Sequence, residues 1–312
     1  MMKQIIAAIF LFAFVAQIDA FPKRARDDSF QMETFAANCS LNATTANCSH
    51  QLNNVRTLPS QSSAVKLVKM SAFVAISLVA LLGNVFVVMI ICRNKSLRKT
   101  VNLFILNMAI SDLFAPVIAV PMHLYSLHVN AITATFAWPF EGLIGNISCK
   151  VAMFLVDSSP VISILSLVLM SGDRFYAVVF PLKAPRVRYK IRVALLVCSW
   201  IVAFSYFSPY FEIVSLQYIF GQPSCVLYWP PPYDHAKSMQ IYSTIMCVFF
   251  TIIPFVLLSV MYSVMLWILR KKKIARHHIR SASSRRQRNN RNIVFMALAI
   301  VVVFAICWGP YN

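Results

Sequence analysis

The chain has 312 residues, 59% hydrophobic and 12% charged, which is too apolar for a soluble fold of this size and suits a bilayer. Lysine and arginine number 29 against 10 aspartate and glutamate, and the 8 cysteines are too few for a disulfide scaffold. There is no phosphate loop and no GxSxG, HExxH or CxxC motif, so nothing in the sequence asks for catalysis.

Residues 1–20 place Lys3 before an apolar run, Ile5 to Val15, and end on the small residue Ala20. That is the grammar of a cleaved signal peptide. Residues 21–66 are polar and without sustained period, and read as a disordered extracellular tail. They hold three Asn-x-Ser/Thr sequons at Asn38, Asn42 and Asn47, which a secreted tail exposes to glycosylation. Cys39 and Cys48 lie beside them, either as a local bridge or as free thiols.

Six apolar stretches follow, at about 68–92, 101–125, 149–180, 192–212, 239–269 and 292–312. Each reaches the ~20 residues a spanning helix needs. The connections 93–100, 181–191 and 270–291 carry 18 basic residues and no acid. The alternate connections, 126–148 and 213–238, hold Glu141, Asp234 and Lys237. This asymmetry is the positive-inside pattern and puts the N-terminus outside. The net charge of +19 therefore reports topology, and nucleic acid is not the expected partner. No internal repeat is visible, so an inverted-repeat transporter gains no support.

Charged groups inside a bilayer are costly and need a reason. Here they are Asp112 in span two and Asp157, Asp173 and Arg174 in span three. Around them stand Gly83-Asn84 in span one and Leu106 to Asp112 in span two. Span three runs from Cys149 to Asp173-Arg174-Phe175, span four has Trp200, and span five has Pro254 and Tyr262. Span six has Phe304 and Cys307-Trp308-Gly309-Pro310. In this order the motifs resemble the rhodopsin-like (class A) G-protein-coupled receptors, over residues 68–312. The expected fold is an all-α membrane protein, a seven-transmembrane receptor bundle of which six spans are present. Residues 67–312 form the receptor domain. Phe175 replaces the family's usual tyrosine.

The resemblance implies roles for particular residues. Cys149 and Cys225 would form a disulfide pinning the second outer loop over the ligand pocket. Asp112, Ser163 and Asn84 would hold a sodium ion that favours the inactive state; the alternative is a protonated, hydrogen-bonded core aspartate. Pro254, Ile164 and Phe304 would repack on activation, with Tyr262, Trp308 as pocket floor and Pro310 as hinge. Asp173 and Arg174 are adjacent and read as a pair. In the family the arginine swings free on activation and meets the G protein, with Pro181 and Leu182 docking beside it. The expected pocket residues are Met153, Val156, Asp157, Pro160, Tyr242, Trp308, Tyr311 and Asn312. Trp138 to Gly142 resembles a family loop element that packs beside the disulfide.

Val156 occupies the position where amine receptors carry an ion-pairing aspartate, which disfavours a monoamine. The long tail, the aromatic run Tyr228 to Tyr233 and the acids Glu141, Glu212 and Asp234 favour a peptide ligand. The spans look most like the neuropeptide-receptor branch. The expected protein is a plasma-membrane receptor that passes peptide binding to a heterotrimeric G protein and needs no cofactor beyond sodium. A receptor for an amine, lipid or retinal is the alternative within the fold, and a six-span channel or transporter the alternative outside it. No acid follows Asp234, so span six offers Arg174 no carboxylate and raised basal signalling is expected. The sequence ends two residues past Pro310, so the expectation is a C-terminally incomplete chain, or a truncated non-signalling decoy.

Overall fold

The computed structural model of the protein describes residues 63–94, 100–129, 136–180, 189–219 and 221–275. The expected signal peptide, the three sequons, Pro181, Leu182 and the whole of span six lie outside them. Phe304, Trp308, Pro310, Tyr311 and Asn312 therefore receive no structural account.

Five helical segments among the described residues are long and apolar enough to cross a membrane. Span one is Ser63–Arg93 and span three is Gly142–Val179. Span two is built from Thr100–Ser111 and Val120–His128, joined through a wide turn at Ala115–Ala119. Span four is Tyr189–Phe207, continued after Pro209 by Tyr210–Ile213. Span five is His235–Cys247 and Ile253–Ala275 around a second wide turn, Val248–Ile252.

The wide turns have a common cause. Pro116 and Pro254 bring no backbone N–H to the carbonyl four residues earlier, which favours a local opening of the helix beside each. For Pro116 that residue is Asp112, which therefore sits at the break in span two.

Span three starts seven residues before the expected Cys149. Glu141 is extended and Gly142 takes φ +62°, a left-handed conformation glycine adopts without strain, and the helix runs from there. Span four likewise begins at Tyr189, three residues before the expected start, which draws Lys190 out of the expected loop and into the helix.

The bundle is apolar outside as well as inside. On span one Val74, Leu78, Leu82, Phe86 and Met89 repeat at helical spacing and are exposed, while Ile76, Val87 and Ile91 are buried. Small polar residues fill the helix contacts: Ser111, Ser158, Ser159, Ser166, Ser171 and Ser199 are all buried. Lipid competes equally for large apolar side chains, so small residues that permit close approach, and hydroxyls that bond across, favour association.

The sequence pattern did not announce a sheet, yet three strands cap one end. The strand β1 is Phe136–Ala137, β2 is Val214–Ile219 and β3 is Gln222–Leu227. They are antiparallel in the order β1-β3-β2, with Phe136 and Leu216 both opposite Cys225. Gly221, at φ +79°, lies in the turn between β2 and β3.

Gly145 on the first turn of span three is where this cap is seated. A Cβ there would lie 2.3 Å from the Phe140 carbonyl oxygen and 2.9 Å from a Leu216 methyl. Backbone cannot yield cheaply, so Gly145→Ala is expected to destabilise the protein by on the order of 1–3 kcal/mol. Thermal melting in detergent checks this against Gly172→Ala, where nothing lies within 4 Å and no loss is expected.

Candidate functional site

The sheet is covalently tied to the bundle. Cys149 and Cys225 form a disulfide with a Cα separation of 5.7 Å, and both are buried. Non-covalent ties repeat the attachment. The Trp138 backbone N–H donates to the Pro223 carbonyl at 2.7 Å, and its indole N–H to the Ser148 hydroxyl at 2.9 Å. The Leu216 N–H donates to Asn146 Oδ1 at 3.1 Å, and Lys150 Nζ to the Phe211 carbonyl at 2.6 Å. Trp138 is thus packed beside the disulfide, in the same buried cluster.

Beneath the sheet spans three, four and five meet through aromatic rings. Tyr206 and Tyr242 stack with centroids 4.7 Å apart. Each donates its hydroxyl to the other's backbone carbonyl, at 2.6 Å from Tyr206 and 3.0 Å from Tyr242. Tyr210 and Trp229 pack edge-on or tilted around Tyr242, with centroids 6.2 and 5.9 Å away. Tyr228 stacks on His235, whose Nδ1 accepts the Trp229 backbone N–H at 3.2 Å.

Of the expected pocket residues, Met153 and Tyr242 belong to this packed cluster. Asp157 is turned to span four, where its Oδ2 accepts the Tyr210 hydroxyl at 2.8 Å. Its neighbour Val156 is half-buried and lies about 100° away around the helix, as does any adjacent residue. Pro160 is accommodated within the continuous helix of span three.

In mid-bundle Asp112 meets a chain of hydroxyls. Ser163 donates to Asp112 Oδ1 at 2.5 Å and lies 3.0 Å from the Ser111 hydroxyl. Ser159 donates to the Ser111 carbonyl at 2.8 Å. A parallel string runs from the Trp200 indole to Asn107 Oδ1 and from Asn107 Nδ2 to Ser166, both at 2.8 Å. Ser111 was not among the expected residues; its place beside Asp112 on a broken helix was the available signal. Asn84 is half-buried and makes no hydrogen bond to this cluster among the described residues. Asp112 and Ser163 offer the hard oxygen donors that a small monovalent cation accepts.

At the opposite end the expected pairing is corrected. Asp173 does not pair with Arg174. Its Oδ1 accepts from Arg192 Nε of span four at 2.8 Å. Arg174 Nε is buried and has no hydrogen-bond partner. Arg192 of span four has taken the carboxylate, and the Asp173 and Arg174 side chains leave the helix about 100° apart. A buried donor without an acceptor costs about 1–3 kcal/mol. Three residues before Arg174, and so on the same face, Ser171 bonds the Tyr262 hydroxyl of span five. Tyr262 is buried with Leu167, Val178, Leu258 and Met265, and Phe175 packs against that cluster. Ile164 and Pro254 are buried, on spans three and five.

Residues 83–312 match the family model for the 7 transmembrane receptor (rhodopsin family). The chain belongs to the rhodopsin family of seven-transmembrane receptors. A rhodopsin-family protein is a multi-pass membrane protein and not an enzyme. The chain is 29% identical over 243 residues to the Substance-K receptor of Mus musculus, covering 78% of this chain and 60% of that receptor. It is 29% identical over 243 residues to the Substance-K receptor of Mesocricetus auratus, with the same coverage of 78% and 60%. It is 31% identical over 244 residues to the Tachykinin-like peptides receptor 86C of Drosophila melanogaster, covering 75% of this chain and 45% of that receptor. The chain thus spans 60% or less of the length of these rhodopsin-family relatives.

Proposed function

We propose that this chain is the membrane part of a neuropeptide receptor in the plasma membrane, N-terminus outside, that drives nucleotide exchange on a heterotrimeric G protein. The observation that carries the reading is the disulfide-held hairpin over an aromatic cluster of spans three to five. Aromatic rings with polar tips suit a peptide, which presents both apolar side chains and amide groups. The names of the relatives, receptors for substance K and for tachykinin-like peptides, support the same class. The basic connections between spans fit an inner face apposed to anionic lipid and the G protein.

In this reading peptide contacts at the outer cluster are relayed along spans three and five, which converge again at Ser171 and Tyr262. Asp112 and Ser163 would hold a sodium ion, whose charge stabilises the resting arrangement. A receptor for an amine is not favoured, because Val156 cannot ion-pair and Asp157 is engaged with Tyr210.

The test expresses the receptor from its complete coding sequence and measures GTPγS uptake by a co-expressed G protein. Tachykinin-like peptides are expected to stimulate uptake. Stimulation by amines or lipids alone replaces the peptide reading with a small-ligand one. Peptide binding without any stimulation replaces it with a decoy.

A further inference from the structure

We propose that Arg192 is a positioning residue of the Arg174 switch: by holding Asp173 against span four it keeps Arg174 released and sets the receptor's basal signalling. The inference rests on the G-protein reading above. Three observations converge on it.

Asp173 and Arg192 pair at 2.8 Å, and their side chains are only 12% and 17% exposed. Such a contact is shielded from solvent and salt, unlike a surface ion pair. Arg174 has a buried Nε with no partner, although a carboxylate stands one residue away. The two arginines therefore compete for one anion, and span four has won it. Asp173 looks to span four, while Arg174 shares a face with Ser171, which meets Tyr262 of span five. The sequence adds the third observation: no acidic residue follows Asp234, so span six supplies no substitute carboxylate.

Arg192 thus acts through Asp173 and not by touching the G protein. Its removal frees Asp173 to bond Arg174, the adjacent cation on span three. That pairing tethers the arginine and lowers the population of the signalling state.

The experiment measures GTPγS uptake without ligand in membranes matched for receptor number. Wild type is expected above receptor-free membranes. Arg192→Gln is expected to lower the ligand-independent rate about tenfold, a shift within the usual range for coupled two-state elements. The peptide-stimulated maximum should be retained, which a merely misfolded protein would not do. Arg192→Met keeps the buried stem and serves as a second variant with the same expectation. A ligand-independent rate in both variants equal to or above wild type overturns the proposal, as does a wild-type rate equal to receptor-free membranes. If wild type answers peptide while the baselines do not move, only the role of Arg192 fails. If wild type answers no ligand, the receptor reading fails with it.

Discussion

Replacing Cys225 with serine is expected to abolish ligand binding and to strand most of the receptor inside the cell. The disulfide links residues 76 apart in sequence, so it removes a large loop from the freedom of the unfolded chain. A closed loop of that size is worth about 4 kcal/mol, comparable with the whole margin of a folded domain. The loss is also local. Cys225 is the strand residue opposite both Phe136 and Leu216, so the one covalent tie to span three sits at the middle of the three strands. The Trp138 and Asn146 hydrogen bonds are too few to hold the sheet alone. Cell-surface labelling and radioligand binding measure the outcome. Cys198→Ser is the control, because that thiol is free and exposed on the outside of span four. Full surface display and wild-type affinity in the Cys225→Ser protein would falsify the cap as the pocket's roof.

The second large effect is expected at Asp112. If the residue holds sodium in the resting receptor, exchanging sodium for N-methylglucamine at constant ionic strength should tighten agonist binding by about tenfold, a common size for coupling between two sites. Asp112→Asn should remove that dependence and leave the receptor in its high-affinity form at any sodium concentration. The amide still accepts the Ser163 hydroxyl but carries no charge for a cation. Ser163→Ala should weaken the dependence without erasing it, because it deletes one neutral oxygen. Competition binding across a sodium series reads all three. Agonist affinity insensitive to sodium in wild type would leave Asp112 as a hydrogen-bonded structural group.

The spans were legible because a bilayer imposes length and apolarity directly on sequence, and because basic loops mark one face. The cysteine partner was legible through the family motifs. What was not legible depended on which helix lies beside which. Adjacent Asp173 and Arg174 suggested a pair, yet a helix sends neighbours apart, and only packing reveals that span four offers Arg192. Asp157 was expected in the pocket beside Val156, and its hydroxyl partner came instead from Tyr210 of span four, 53 residues later. The strands were hidden because β2 and β3 are short and mixed in character, and the sheet is seated on span three by a disulfide from β3. Ser111 meets the Asp112 cluster at Ser163, just before the break at Pro116, and proline in mid-span is the signal in the sequence that marks this place.

The two tyrosines that exchange hydroxyl-to-carbonyl bonds have a mechanical meaning. Spans four and five are bolted at Tyr206 and Tyr242, so neither can slide along the other without breaking both bonds at once. Six residues below Tyr242 the backbone of span five opens into its wide turn, and Pro254 follows. A stiff upper arm, a fixed fulcrum and a soft joint make span five a lever. The lower arm, beyond the joint, carries Tyr262, which meets span three at Ser171 on the face that bears Arg174.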